Sequence, residues 1–342
     1  MEYSRIFIGG TGRSGTTILY RALGCHENIY ALPKEMRFIT EPDGVMDLVD
    51  AVSTRYSINQ SREAVYKFER LMRVYMTDPE GGRYPNYDLP NWIGKDFYYA
   101  RLEQFCSELV DFSFHGISAP LRQPLDEVKT TVWKKQLRDF TKKRRGTDKK
   151  IKQFNFPTRD INVIKYFSKR QEIVDLAAAF VDDLFMNITK KEGKQTWCEK
   201  TPNTLQAIDF VWEMYPEAVF VHMVRDPRGV LESMRKVRWA PDNTRDLCKF
   251  LMKIYDRWFD LKAKIDLSHH RYLEVKLEHM VEYPDATLEK IASFANLPNR
   301  YHNLPQISPE KVNSWQAQLD SEDLKIINKL LGSYIVQLGY TI

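Results

Sequence analysis

Cysteine is scarce in this chain: Cys25, Cys106, Cys198 and Cys248 stand far apart in 342 residues, with no C-x-x-C pair. That spacing excludes a disulfide framework and the usual thiolate zinc sites, and it points to free thiols in a reducing compartment. The seven histidines show no metal-ligand spacing either. No apolar run approaches the ~18–20 residues of a membrane span, and the first apolar run follows Met1 too closely for a signal peptide. A cytoplasmic protein without a membrane partner is the expectation. Charge of one sign is also in short supply. The balance of 51 Lys and Arg against 46 Asp and Glu leaves +5, which does not mark a nucleic-acid binder but suits a polyanionic small molecule. Internal repeats and low-complexity tracts are missing as well. What is abundant is core material, 43% hydrophobic and 13% aromatic, enough for a substantial core without covalent staples.

One further absence is more specific. Gly10-Thr11-Gly12-Arg13-Ser14-Gly15-Thr16-Thr17 follows the apolar run Ile6-Phe7-Ile8 and leads into Ile18-Leu19-Tyr20-Arg21-Ala22-Leu23, which has helical spacing. Strand, glycine-rich turn and helix start form a phosphate cradle, because the turn aims backbone N–H groups inward and the helix N-terminus adds partial positive charge. A nucleoside-triphosphatase loop reads G-x-x-x-x-G-K-[ST]. Here Thr16 stands where that lysine belongs. The loop therefore keeps its phosphate grip and lacks the usual partner of a β/γ-phosphate pair. Taken alone, an ordinary strand–helix turn stays open as the alternative.

A second element sits far along the chain. Residues 218–224 are almost continuously apolar, as in a buried parallel strand. Arg225 then falls at the strand's carboxyl end, where ligands bind in open α/β sheets. Ser233 follows eight residues later, about two helical turns on, and so returns to the same face. An arginine fork and a hydroxyl meeting there suit a second phosphate. A surface Arg–Asp turn is the bland alternative.

Together the two elements resemble the sulfotransferases that use 3′-phosphoadenosine 5′-phosphosulfate (PAPS), with most likeness to the tyrosylprotein sulfotransferases and related bacterial enzymes. The resemblance implies that Gly12, Arg13, Ser14, Gly15, Thr16 and Thr17 hold the 5′-phosphosulfate, and that Arg225 and Ser233 hold the 3′-phosphate. It also implies transfer without a metal, and PAPS has no β/γ-phosphates for the absent lysine to bridge. In Pro33-Lys34-Glu35-Met36-Arg37 the family's catalytic glutamate matches Glu35, with Arg37 as a substrate-binding arginine. In Cys198-Glu199-Lys200-Thr201-Pro202 the family's transition-state lysine matches Lys200. Ser314-Trp315 and Gln337-Leu338-Gly339-Tyr340 are similar too. Two departures stand out: Leu277 precedes Glu278 where many relatives carry tyrosine, and the serine–lysine loop before the C-terminal tryptophan is shortened, leaving Ser308 and Lys311 as its counterparts. The resemblance covers residues 1–40 and 195–342, not the middle.

The expected fold is α/β, a P-loop-type parallel sheet flanked by helices, with a largely helical insertion. Residues 1–41 and 192–342 form the PAPS-binding core of one domain, and 42–191 form an insertion that builds an acceptor pocket and lid. Helical spacing predicts helices at 43–55, 62–76, 98–112, 125–144 and 172–191, then at 204–214, 228–238, 244–264, 284–295 and 321–338, the last with Ser321 as its N-cap. Strands are expected to end near Glu35 and to span 195–199, 218–224 and 272–276. From Lys134 to Lys152 ten basic residues face two acids, either a solvated face or a basic lip that draws in an anion. In the implied chemistry Glu35 takes the acceptor's proton, while Arg13, Lys200 and the loop N–H groups meet charge on the leaving group. A small-molecule kinase and a non-catalytic nucleotide-binding protein are the alternatives. The acceptor, a hydroxyl or an amine, is expected to be a small metabolite rather than a peptide.

Overall fold

Ile6, Phe7 and Ile8 leave no polar face, so their strand belongs in the middle of a sheet covered on both sides. The computed structural model, which describes residues 5–77, 87–117, 158–305 and 312–342, places them there. The strand is β1 (Arg5–Gly10), followed by α1 (Thr16–Leu23) and β2 (Ile29–Ala31). Later strands are β5 (Thr196–Lys200), β6 (Val219–Val224) and β7 (Tyr272–Lys276). They form one sheet in the order β2-β5-β1-β6-β7, with every pairing parallel. The architecture is a mixed α/β fold with a central parallel sheet flanked by helices.

The two faces of the sheet bury different partners. Phe7, Trp197 and Phe220 face α2 (Val45–Val52), α3 (Ile58–Arg70), α4 (Leu89–Ile93), α5 (Lys95–Glu108), α6 (Arg170–Lys191) and α7 (Ile208–Met214). Trp197 is fully buried against Phe7 and Phe185, ring centres 5.2 Å away from each, and its indole N–H donates to Asp182 at 2.9 Å. Arg5 holds the same carboxylate from β1, so the buried indole leaves no polar group unsatisfied. On the other face Ile6, Ile8, Cys198, Val219 and Val221 meet α1, α10 (Leu277–Glu282) and α11 (Pro284–Phe294). A third cluster joins Val224 to α8 (Pro227–Met234), α9 (Thr244–Lys262) and α13 (Ser321–Gln337), the last preceded by a short α12 (Trp315–Gln318).

Several expectations are corrected. The helix expected at 98–112 ends at Glu108, and β3 (Val110–Ile117) pairs antiparallel with β4 (Thr158–Ile164). Phe112 and Phe114 alternate with Asp111, Ser113 and His115, a period of two that overrides the helical reading. The strand expected to end near Glu35 stops at Ala31, because Pro33 cannot donate to a ladder and the chain turns. The helix expected at 204–214 is a 3₁₀ segment, Pro202–Ala207, running into α7. α8 ends at Met234 rather than at 238. The helix expected at 62–76 starts at Ile58 and passes through a π-helical turn, Leu71–Tyr75. The helix expected at 125–144, the basic stretch Lys134 to Lys152, Ser308 and Lys311 lie outside the described residues.

The cap of the last helix is also corrected. Asp320, not Ser321, is the N-cap: its backbone is extended, and its carboxylate accepts the N–H groups of Glu322 at 2.9 Å and Asp323 at 2.8 Å. Asp320→Ala should therefore lower unfolding free energy by about 0.5–2 kcal/mol in urea, and Ser321→Ala should leave it nearly unchanged.

Two titratable groups are buried in the sheet with opposite consequences. His222 on β6 lies 2.7 Å from the Tyr272 hydroxyl and edge-on to Trp258, and burial pulls its imidazole down to about 3. Glu199 on β5 is 1% exposed, and burial pushes its carboxyl from 4.5 up to about 7, against the hydrogen bonds from Thr201 and Met36. A carboxyl whose pKa is raised by folding gives the folded state the extra proton between those two values. Stability from this group is then full below pH 4.5, declines as pH rises through about 7, and is level above it. His222 acts the other way below its ordinary range, so the difference between wild type and Glu199→Gln isolates Glu199. Denaturant titrations from pH 4.5 to 7.5 should show the stability of wild type relative to Glu199→Gln falling as pH rises, with the variant alone rising through the His222 range; a difference that does not change with pH would count against a titrating Glu199.

Candidate active site

The turn after β1 is held in a conformation that few residues adopt. Gly12, Arg13 and Gly15 all have positive φ, at 72°, 58° and 96°. For Arg13 this is a sparsely populated region, sustained by the surrounding structure. At Gly15 a glycine is required twice over, since an added Cβ would fall 2.6 Å from Leu277 Cδ1. Leu277 thus fills the space beneath the loop. Gly15 caps α1, and its carbonyl takes the N–H groups of Ile18 and Leu19. The first-turn N–H groups and the helix dipole are then available to an anion. Thr16 is buried and Thr17 exposed, while the Ser14 hydroxyl is fully buried with no hydrogen-bond partner among the described residues.

Arg225, 7% exposed at the end of β6, lies across α8 where Gly229 leaves room: a Cβ there would be 2.8 Å from Arg225 Nε. Its guanidinium donates to the carbonyls of Arg13 at 3.1 Å and Val312 at 3.0 Å. Burial pulls its pKa below the usual arginine value, although Glu278 and Glu232 oppose the shift. From the loop side, Arg13 Nε donates to Ser233 Oγ at 3.0 Å. Arg13, Arg225 and Ser233 therefore meet, although more than two hundred residues separate the loop from the strand end.

The end of β6 is braced from the C-terminus. The Asp226 N–H donates to Glu278 at 3.1 Å, and the other oxygen of Glu278 accepts the Tyr340 hydroxyl at 2.7 Å. Lys276 lies 4.5 Å from the centre of the Tyr340 ring and donates to the Gly339 carbonyl at 2.8 Å. Arg228 pairs with Asp226 and covers the Trp315 ring at 4.2 Å, and Ser314 donates to Glu232 at 3.2 Å.

On the opposite side of β1, strand register sets Lys200 beside Ile8. Lys200 Nζ donates to Glu35 Oε1 at 2.8 Å, and Arg37 donates to Glu35 Oε2 at 2.8 Å. Arg37 also reaches Glu41 at 3.5 Å. Glu35 thus has a cation on each oxygen, the lysine 14% exposed and the arginine 40% exposed. The arrangement sets a glycine-rich loop at the end of β1 and, at the end of the neighbouring strand β5, a lysine paired with a carboxylate.

Three neighbouring residues were not anticipated. Glu199 and Tyr87 hold the backbone at Glu35: the Met36 N–H donates to Glu199 at 2.9 Å, and the Tyr87 hydroxyl donates to the Glu35 carbonyl at 2.5 Å. Trp239, 59% exposed, places its ring edge 3.7 Å from where a Cβ on Gly12 would lie. Glu199 stands next to Lys200 in sequence, but nothing in a strand pattern says that its side chain is buried. Among the described residues no group of His, Cys, Asp or Glu is arranged to hold a metal, and no helix is long and apolar enough to cross a membrane.

The sulfotransferase family model matches residues 117–302, more than half of the chain. Nodulation protein NoeE of Sinorhizobium fredii is 20% identical over 215 residues, 51% of each chain. A Caenorhabditis elegans protein described as "Putative protein-tyrosine sulfotransferase" is 28% identical over 131 residues, 37% of this chain and 50% of that one. The chain spans about half the length of these curated relatives. Among solved structures, the sulfotransferase domain of the Synechococcus PCC 7002 olefin synthase aligns over 95% of this chain and 93% of its own, at 14% identity and a TM-score of 0.47. By the family model, which matches more than half of its length, the chain belongs to the sulfotransferase family.

Proposed function

We propose that the chain transfers the sulfuryl group of PAPS to a hydroxyl or amine of a small acceptor, with Glu35 as the base. The observation that carries this reading is the 2.8 Å contact between Lys200 and Glu35 at the carboxyl edge of the sheet, beside the glycine-rich loop. The donor fits what surrounds the pair. The positive-φ loop and the buried, unpartnered Ser14 hydroxyl suit a 5′-phosphosulfate, and Arg225 with Ser233 suits a 3′-phosphate.

In this reaction a bond forms from the acceptor oxygen or nitrogen to sulfur as the bond from sulfur to the phosphate oxygen breaks, and adenosine 3′,5′-bisphosphate (PAP) leaves with the electron pair. Glu35 receives the proton that the acceptor loses. To do so it presents one of the carboxylate lone pairs that Lys200 and Arg37 leave over, Arg37 being the more exposed of the two and shared with Glu41. Arg37, beside the base, contacts the acceptor. Lys200, Arg13 and the N–H groups of residues 12–17 face the oxygen that gains charge, where fixed donors lower a barrier most. Lysine acts there as a compact point charge, whereas the arginines can clasp two oxygens.

Titration calorimetry tests the donor. PAP should bind far more tightly than ADP, and Arg225→Ala should weaken PAP by about 10- to 100-fold while leaving ADP nearly unchanged. Equal affinity of the wild type for both would sink the PAPS reading.

A second measurement addresses the base. Glu35→Gln should keep PAP affinity and lower turnover by about 10²–10⁴-fold. With a phenolic acceptor, raising the pH should restore part of that rate, because the phenol ionises by itself. Lys200→Ala should lose rate at every pH with any acceptor. Near-normal turnover by Glu35→Gln would assign the base elsewhere.

A further inference from the structure

Glu35 sits on backbone that is neither helix nor strand. A base carried on such a segment has no ladder to fix it, yet positioning demands precision well under an ångström. The structure resolves this with two side chains. We propose that Glu199 and Tyr87 are positioning residues that grip the peptide unit joining Glu35 to Met36 and so set the place of the base, an inference that rests on reading Glu35 as that base.

Both polar atoms of that one peptide unit are taken, each by a side chain from a different part of the fold. The carbonyl of Glu35 accepts the Tyr87 hydroxyl at 2.5 Å, and the N–H of Met36 donates to Glu199 Oε1 at 2.9 Å. Tyr87 is 6% exposed and Glu199 1%, so water does not compete for either bond. Glu199 is in turn anchored at the end of its own strand, accepting the Thr201 N–H at 3.1 Å and the Thr201 hydroxyl at 2.5 Å. Its neighbour Lys200 contacts the Glu35 carboxylate. The same strand end thus holds the backbone of Glu35 with one residue and its side chain with the next. Tyr87 fixes the other side from the segment just before α4.

The grip does not depend on the charge of Glu199. When the carboxyl is protonated it can donate to the Thr201 hydroxyl, which serves as donor or acceptor, and still accept from the two N–H groups. Satisfying buried backbone groups would by itself explain two hydrogen bonds. It does not explain why both fall on the peptide unit of the base, from elements on opposite sides of it. Nor would a merely structural role make their loss depend on Glu35.

The test is a double-mutant cycle read on hydrolysis of PAPS to PAP and sulfate, in which water is the acceptor, together with hydrogen exchange at the Met36 amide. Tyr87→Phe removes one hydroxyl and keeps the ring, so it should fold; Glu199→Gln is the second variant. Each should speed exchange at Met36, leave PAP affinity unchanged, and slow turnover by about 10- to 100-fold, the scale of a misplaced catalytic group. In a Glu35→Gln background neither should slow turnover further. Equal losses in both backgrounds, or an unchanged Met36 exchange rate in both variants, would overturn the proposal. Failure of the base reading looks different: Glu35→Gln alone would then turn over at the wild-type rate, while the two variants still loosened Met36.

Discussion

Parallel pairing is the constraint on which the site depends. Because every pairing in the sheet runs parallel, each strand delivers its carboxyl end to one edge. β1 occupies the middle, and the chain leaves it first for β2 and β5 on one side and later for β6 and β7 on the other. That reversal opens a crevice beyond the strand ends. The glycine-rich loop fills its centre, with Lys200 arriving from β5 on one flank and Arg225 from β6 on the other. Two flanks, one on each side of the loop, follow from topology, and the residues that end β5 and β6 put a cation on each. Fixed placement, rather than the modest net charge of the chain, concentrates positive charge at this edge.

What the sequence showed plainly were features written in contiguous strings. The strand–loop–helix of residues 5–23 and the strand–arginine–helix of 219–234 are local, and periodicity together with glycine placement was enough to read them. Long-range geometry was not legible in that way. The bond from Glu199 to Met36 spans 163 positions and that from Tyr87 to Glu35 spans 52; no spacing rule links such residues, because the link exists only after the sheet and the segment before α4 have packed. The β3–β4 pair escapes a local reading for a related reason. Its first strand follows a genuine helix with one residue between them, and its partner strand begins only at Thr158. At the last helix both Asp320 and Ser321 are good capping types, and backbone geometry alone decides between them.

Leu277 shows how one departure from a family pattern can be absorbed. Here the position holds an aliphatic side chain packed under Gly15, and the glutamate that follows accepts the Tyr340 hydroxyl. Glu278 spends its other oxygen on the Asp226 N–H, at the start of the helix that carries Ser233. The C-terminal residues therefore do more than end the chain. They brace the strand end from which Arg225 projects, and Lys276, packed on the Tyr340 ring, closes that brace.

Tyr87 connects this reasoning to the part of the chain with no recognisable motif. It belongs to the block that covers the Phe7 and Trp197 face of the sheet, and its hydroxyl ends on the carbonyl of Glu35. A block packed on one face of a sheet is usually free to vary in its loops, because loops and excursions tolerate change that a packed sheet does not. Here that freedom is limited at one point. On the proposed reading, in which Glu35 is the base and this block shapes the acceptor side, the block also holds one edge of the base's own peptide, while β5 holds the other. Acceptor recognition and base placement then share a mechanical connection. On that reading, substitutions that repack α4 or the residues before it would act on the chemistry through the Glu35 backbone, even where they touch neither donor nor acceptor.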